Sequence, residues 1–396
     1  MAIIRKILAL ITAMVSLYVF WMAHVQDAKQ FKTLPPIQNH HQMNNTPIIP
    51  ASSKQNTIAG AISKHQMNNT PIIKSKQNAM SGGVSKQILW YNDFFGAQHP
   101  CFETPSLCLK LCPEYKCTLT SNKALYNESD AVIFHLVGLG NTPPVKHPHQ
   151  AWIFFLMESP SNYPHIPSNY NNKFNWTATF MRVSDVHVPY SVTKKLPEIN
   201  QTALKNIDFY AGKEKKIIWA VSNCHTIGGR EKVVEALKKL GWQVDIYGGC
   251  GSKKCPRGSE CEKNIGKNYM FYLAFENSLC EDYITEKPGN AIIRWEIIPI
   301  TYGYGNYTAH LPPNSFINVN SFKTVSDLSK HLNKVAESRD LYNSYFEWRK
   351  THSYLPSNFY WACDICKKLH NNHQNYYKDM EKWWSKDRCI SMPISL

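Results

Sequence analysis

The densest run of chemically capable side chains is FYLAFENSLCEDYITEKPGNA, Phe271–Ala291. An apolar stretch there ends in Glu276 and Asn277, and after a short loop come Tyr283, Thr285, Glu286 and Lys287. If the first part is a buried strand and the second opens a helix, free N–H groups and the Lys287 ammonium can bind a phosphate. An equally ordinary reading makes Thr285 a helix cap and Glu286 a partner of the helix dipole. A second polar stretch, Asn223–Arg230, also follows an apolar run. No Gly-x-x-x-x-Gly-Lys-Ser/Thr occurs, and no two aspartates are spaced as Asp-x-Asp. A divalent metal holding a nucleotide diphosphate needs clustered carboxylates. Any diphosphate here must be neutralised by amides and bases.

The elements that would position these groups are legible from periodicity. Ile88–Asn92, Ala131–Leu136 and Ala151–Glu158 are short, β-branched or aromatic runs bounded by turn residues, as buried strands are. A second series runs Lys215–Asn223, Gln243–Gly248, Tyr269–Glu276 and Ile297–Gly303. Between its first two members Val233, Val234, Leu237 and Leu240 share a helical face, and Gly241 stops the helix. Val325–Trp348 reads as helix. Strand–helix–strand units of this length predict two parallel, doubly wound sheets, divided near Asn200–Lys216. Ligands bind beyond the carboxyl ends of such strands, which puts Asn223–Arg230 and Glu276–Lys287 at the useful rim.

The chain has 396 residues and a formal charge of +15, from 44 basic and 29 acidic side chains. Nine bases and a single acid lie at or before Lys86, so over half of that excess precedes the fold. A nucleic-acid binder concentrates charge on its folded face, so nucleic acid is excluded as the expected partner. Ile7–Ala23 is a 17-residue uncharged run after Arg5 and Lys6, with Tyr18, Phe20 and Trp21 at its exit. That length is at the short end of about 17–25 residues for a membrane span, and the aromatics suit an interfacial belt. The expectation is a signal anchor at 7–23 behind a cytoplasmic tail at 1–6. Residues 24–86 carry a duplicated polar segment, HQMNNTPII at His41 and again at His65, and read as a disordered stem.

All 12 cysteines lie at or beyond Cys101. Only one Cys-x-x-Cys unit occurs, Cys363 to Cys366, so disulfides suit them better than zinc. Cys101 and Cys108, Cys224 and Cys250, and Cys363 and Cys366 are the disulfide candidates, with connectivity open. Glycosylation sequons fall at Asn44, Asn68, Asn127, Asn175, Asn200 and Asn306, the last four within the folded part. Anchor, cysteines and sequons together favour an oxidising lumen.

The Phe271–Ala291 stretch resembles the donor-binding signature of the α1,3-fucosyltransferases, glycosyltransferase family 10. Trp152–Pro160 (WIFFLMESP), Phe174–Tyr190, WAVSNC with Arg230, VDIYGGCG, LPPNSFINVNSF, YFEWR and Cys363-x-x-Cys366 extend the resemblance over roughly 300 residues. It implies a GT-B enzyme: two Rossmann-like doubly wound domains facing a cleft, here after the transmembrane anchor and disordered stem. The acceptor-side domain would be 87–210, the GDP-fucose domain 211–345, and 346–396 a tail packing back on the first domain. It further implies inverting transfer of L-fucose from GDP-β-L-fucose in α1,3 linkage to GlcNAc, with no cofactor required and a divalent metal at most a non-essential stimulant. By position Glu158 matches the general base, a carboxylate able to take the acceptor's proton. Arg230 and Lys287 match residues bracing the diphosphate, and Asn277, Tyr283 and Glu286 match nucleotide- or fucose-contacting positions. The resemblance also implies that N-terminal cysteines clamp the C-terminal tail, that Cys224 pairs with Cys250, and that the protein is a single-pass type II Golgi membrane protein.

Three departures bear on acceptor choice. Phe180–Asp185 reads FMRVSD where the family has Tyr-Arg-Arg-Asp-Ser-Asp, which implies a compensated ion pair, altered acceptor contacts or reduced activity. Pro288 and Gly289 follow Lys287 in place of bulky residues, and Trp295-Glu296 replaces a small residue. The Cys250–Cys261 insertion leans toward the enzymes that modify the N-glycan core GlcNAc. A Lewis-type enzyme acting on N-acetyllactosamine, and an inactive tethered glycan- or nucleotide-binding member, remain as alternatives.

Overall fold

The computed structural model describes residues 84–94, 98–110, 112–140, 144–256, 258–356, 360–371, 375–391 and 393–395. The expected anchor, the stem up to residue 83, and the sequons at Asn44 and Asn68 lie outside them. No helix among the described residues is long and apolar enough to cross a membrane.

The first sheet has six parallel strands: β1 (Lys86–Trp90), β2 (Cys117–Thr120), β3 (Ala131–His135), β4 (Ala151–Leu156), β5 (Trp176–Thr179) and β6 (Val186–His187). Their order is β2-β1-β3-β4-β5-β6. β3 and β4 are apolar along nearly their whole length because layers cover both faces of the sheet. After the antiparallel strand β7 (Ser191–Lys195) comes the second sheet: β8 (Glu214–Ala220), β9 (Val244–Tyr247), β10 (Tyr269–Phe275), β11 (Ile298–Tyr302) and β12 (Ile317–Asn318). It too is parallel, in the order β12-β11-β10-β8-β9. Along β10, Phe271, Leu273 and Phe275 face one core while Tyr272 and Ala274 face another. The helix Arg230–Lys239 buries Val233, Val234 and Leu237, and Gly241 ends it at φ 91°. Leu240, expected on that face, is instead exposed beyond the last turn. The helix expected over Val325–Trp348 is broken into Val325–Ala336, Arg339–Ser344 and a 3-10 turn, Glu347–Lys350.

The chain crosses between the two sheets more than once. β7 pairs with β13 (His352–Pro356), so the outward and return crossings form one antiparallel ribbon. Beyond it the helix Trp361–His370 buries Trp361, Ile365 and Leu369 in the core of the first sheet, with Met380 and Trp384 following. Cys112–Cys363 and Cys117–Cys366 clamp that helix, whereas Cys101 and Cys108 close a local loop on each other. The tail does not stay on the first domain. Cys389 bonds to Cys280, and Ile394 enters the core of the second sheet. The remaining pairs are Cys224–Cys250 and Cys255–Cys261.

Two buried histidines make the fold pH-sensitive. Burial lowers His135 to about 4, against a raising hydrogen bond to the Asp93 carbonyl. Burial lowers His310 to about 4 as well, with His187 and Arg182 adding to the shift and Asp282 opposing it. Between about pH 6.5 and 4 the unfolded chain takes up protons that the folded one refuses, so stability is full above 6.5 and lost on acidification. Urea unfolding at a series of pH values from 7 to 5 should show little change down to about pH 6.5 and then a fall approaching about 1.4 kcal/mol per pH unit per histidine, shallower in His310→Gln.

Candidate active site

The site is assembled where the carboxyl ends of β4, β8 and β10 meet. β10 ends at Phe275, and the next residue, Glu276, is 0% exposed. A carboxylate in that position must be paired and hydrogen-bonded. It accepts from the Thr285 N–H at 2.9 Å and from Thr285 Oγ1 at 2.8 Å, and Lys287 Nζ lies 2.8 Å away. Burial lifts the Glu276 carboxyl above its ordinary value, and Lys287 draws it back. Lys287 is lowered by its own burial, yet Glu276 and Glu286 hold it above its ordinary value, so it stays charged. Of its three N–H groups, one goes to Glu276 and one to Thr285 Oγ1 at 2.7 Å. A third remains for an anion.

The expected helix is present and opens at Lys287, but the reading of Thr285 as its cap is corrected. Thr285 caps nothing, since its hydroxyl serves Glu276; one α turn, Lys287–Gly289, runs on as a π-helix over Asn290–Trp295. Pro288 and Gly289 fit there. Proline is tolerated at a helix start, and a Cβ on Gly289 would come within 3.0 Å of the Tyr354 hydroxyl. Glu286 is half-buried, 3.9 Å from Lys287. Glu296 ends the π-helix in the left-handed region and pairs with Arg349 at 2.8 Å.

Arg230 opens its helix but is only 3% exposed. Its guanidinium donates to the Phe275 carbonyl at 2.7 Å and the Asn223 carbonyl at 2.8 Å, and it stacks 5.6 Å from the Trp219 ring. It ties the ends of β8 and β10 together and sets a positive charge under the rim. Asn277 is half-buried, its Oδ1 accepting from Ser278 Oγ at 3.2 Å.

β4 supplies the other half of the site. Glu158 stands two residues past its end, half-buried, and its Oε2 accepts from Asn162 Nδ2 at 2.9 Å and from Tyr283 Oη at 3.1 Å. Tyr283 is buried, and burial together with the Glu158 charge holds its hydroxyl well above the usual phenol value. It is therefore a proton-bearing donor to Glu158. Its ring lies 4.9 Å from Phe180, and beside it Ser278 Oγ donates to Ser159 Oγ at 2.6 Å. Glu158 and Tyr283 are thus joined across the boundary between the two sheets. Glu276, Glu286 and Lys287 are joined on the second, with Arg230 on the strand end beside them.

Several contributors escaped sequence reading. Asp282 accepts from the Arg182 N–H at 3.1 Å and pairs with its guanidinium at 3.4 Å, a link between the two sheets. Arg182 was visible only as the basic residue retained in an altered motif. Cys280, inside the signature, ties the loop to the tail. Of the glycosylation candidates, Asn127, Asn200 and Asn306 are exposed. Asn175 is the correction: it is 4% exposed, accepts from the Trp152 N–H at 2.9 Å and donates to the Asn375 carbonyl at 3.1 Å, so a glycan has no room. Among the described residues the grouping of metal-ligand type is Cys117, Cys366 and His370, and its two sulfurs are bonded to each other.

Removing Lys287 leaves Glu276 as a buried unpaired charge. Lys287→Met should cost about 3–5 kcal/mol in urea unfolding. Adding Glu276→Gln to it should restore most of that loss, and a single variant as stable as the parent would refute the pairing.

Comparison with known proteins gives a consistent picture. The family model "Fucosyltransferase, N-terminal" matches residues 84–191, and "Glycosyltransferase family 10 (fucosyltransferase) C-term" matches residues 210–383. Alpha-(1,3)-fucosyltransferase C of Drosophila melanogaster is 34% identical over 304 residues, 69% of this chain and 70% of that protein. Glycoprotein 3-alpha-L-fucosyltransferase A of the same species is 34% identical over 314 residues, 77% of this chain and 61% of that longer protein. A 4-galactosyl-N-acetylglucosaminide 3-alpha-L-fucosyltransferase of Gorilla gorilla gorilla is 37% identical over 280 residues, 67% of this chain and 72% of that one.

Proposed function

The chain belongs to glycosyltransferase family 10, the fucosyltransferases, and from that membership we propose that it transfers L-fucose from GDP-β-L-fucose to GlcNAc in α1,3 linkage. The acceptor is the GlcNAc of an N-glycan core. The observation that carries the reading is the 3.1 Å contact of Tyr283 with Glu158, which stations one carboxylate at the junction of the two sheets. The GT-B arrangement supplies the acceptor from the first sheet and the donor from the second.

Glu158 acts as general base. Tyr283 and Asn162 both donate to Oε2, which fixes the carboxylate rotamer and leaves Oε1 for the acceptor hydroxyl. As the 3-hydroxyl oxygen attacks the fucose anomeric carbon, its proton passes to Glu158 and the bond from that carbon to the phosphate oxygen breaks. Attack from the face opposite the leaving group inverts the β-linked donor to the α product. Charge then builds on the departing GDP, where the Lys287 ammonium and the positive end set by Arg230 stabilise it. Glu276 keeps Lys287 charged and immobile, so little reorganisation is needed at that moment. Asn277 and Glu286 lie at the same rim and contact the nucleotide or fucose.

Support for the core acceptor comes from the glycoprotein-modifying fly relative and from the Cys250–Cys261 insertion, which carries its own Cys255–Cys261 bond. The gorilla relative favours a second reading, transfer to N-acetyllactosamine. Residues 7–23 and the six disulfides support a Golgi membrane location, single-pass type II, with the catalytic domains in the lumen.

Labelled fucose supplied as GDP-fucose should appear on a chitobiose-core glycopeptide faster than on N-acetyllactosamine. Glu158→Gln should lower that transfer by roughly 10²–10⁴-fold while GDP binding, read by calorimetry, is unchanged. Unchanged turnover in the variant would remove Glu158 from the role of base.

A further inference from the structure

Beside the Glu158–Tyr283 junction lies a cavity of about 580 Å³ that the donor reading leaves unused. Small-molecule sites run from about 300 to 1,000 Å³, so it has room for sugar rings. Its position follows from strand order. In the second sheet Arg230 belongs with β8 and Lys287 with β10, whereas the cavity walls follow β11 (Gly303–Gly305) and β12 (Asn320), on the opposite flank of β10. In the first sheet Glu158 follows β4, and the cavity residue Arg182 follows β5, its neighbour. The cavity thus lies on the β11–β12 side of β10, with Arg182 reaching it from the end of β5, and its wall at Gly303 backs onto Glu276.

The lining says what it takes. Arg182 and Arg388 stand against Glu281, Asp282 and Asp387, so there is no positive excess to hold a phosphate. Arg182–Asp282 and Arg388–Glu281 are paired at 3.4 and 2.7 Å, presenting fixed donors beside fixed acceptors. Hydroxyl pairs on a sugar ring need that pattern, because each hydroxyl gives one hydrogen bond and takes others. Tyr304 is 47% exposed on the wall, an aromatic face for the apolar side of a pyranose. The wall is also stiff. Glu281 bridges Tyr304 through the main chain, the Glu281 N–H donates to the Arg388 carbonyl at 2.8 Å, and Cys280–Cys389 locks the two segments. Asn320 Nδ2 holds the Gly303 carbonyl at 2.8 Å, and a Cβ on Gly305 would collide with Ile284. Preorganisation of this kind lets a weakly binding neutral ligand be held at low ordering cost.

We propose that this cavity is a subsite for the neutral saccharide units flanking the acceptor GlcNAc. The proposal rests on the acceptor reading above and makes the cavity the device that selects long acceptors over short ones. Sugars docked against Tyr304 and the two ion pairs hold the GlcNAc beside Asp282, whose neighbour Tyr283 reaches Glu158. Asn306 also lines the cavity, exposed, with its Oδ1 accepting from Thr308 Oγ1 at 2.7 Å. A glycan attached there is the competing occupant.

The test is calorimetric titration of the full chain, with GDP present, using a GlcNAc-terminated biantennary N-glycan and, separately, chitobiose. Tyr304→Ala should weaken the biantennary glycan roughly tenfold and leave chitobiose and GDP unchanged, while Tyr304→Phe keeps the parent affinity. Equal weakening of both saccharides, or of neither, overturns the subsite. Binding of the biantennary glycan that appears only in Asn306→Gln also overturns it, since the chain's own glycan is then the occupant. A parent protein that shows the expected binding pattern but transfers fucose to neither saccharide loses the proposed activity and keeps the subsite.

Discussion

Burying one carboxylate completely is the constraint from which the site follows. Glu276 has no solvent contact, and an ionised group in that position is tolerated only if its lone pairs are filled and its charge is matched. The residues that do this, Thr285 and Lys287, come from beyond the next turn of chain. The segment between must therefore double back over the end of β10. That return turns Tyr283 outward to the first sheet, where it reaches Glu158 and stacks on Phe180. One buried ion pair thus fixes both the Lys287 ammonium at the rim and the Tyr283 hydroxyl that orients the Glu158 carboxylate. Gly303 belongs to the same arrangement: a Cβ there would meet Glu276 Cγ at 3.2 Å and collide with the Tyr307 hydroxyl.

A site shared between two sheets works only if the sheets hold their relative positions, and the chain secures this in three places. The β7–β13 ribbon joins them at one point, and the Arg182–Asp282 pair at a second. The third is the tail, which leaves the second domain, docks Trp361 and Trp384 in the first core, and returns to Cys280. Cys112–Cys363 and Cys117–Cys366 each close a loop of about 250 residues. Loop-closure entropy grows with length, so such bridges restrict the unfolded chain strongly. Covalent closure here serves alignment as well as stability, because Cys280 sits three residues from Tyr283.

How much of this was legible depends on the range of the interaction. All seven strands expected from apolar runs are present, since burial on both faces leaves an unbroken apolar run. Short strands such as β2 and β6, and the β7–β13 ribbon, gave no such run, because they lie at edges or carry Lys194 and Lys195. Glu276 and Lys287 were readable as polar residues at a strand end, but their pairing depends on how the intervening loop turns. Thr285 shows the difference: a local rule made it a cap, and the buried carboxylate claimed its hydroxyl instead. The helix after it is present but mostly π-helical, with Trp295 packing on Tyr272, a wider turn that no local pattern announces. Asn175 looked like a surface sequon because nothing local reveals that its amide closes the gap between β4 and the tail.

The altered motif Phe180–Asp185 is held in place by its neighbours on both sheets. Met181, where the family has arginine, is fully buried and makes no demand for a counter-charge. Val183, where the family has aspartate, is 53% exposed, so there the substitution leaves an apolar side chain at the surface. The two charges that remain have partners. Asp185 accepts from Thr177 and from Tyr377 Oη at 2.7 Å, with Lys368 at 3.9 Å, which ties β5 to the tail. Arg182 meets Asp282 across the sheets. Phe180 carries Tyr283 on its ring. The segment therefore keeps its structural task, supporting the residues on either side of Glu158. What the substitutions change is the surface at Val183, one residue from Arg182, which lines the cavity. Loss of a charge there changes the surface beside Arg182 while leaving the Glu158–Tyr283 contact intact.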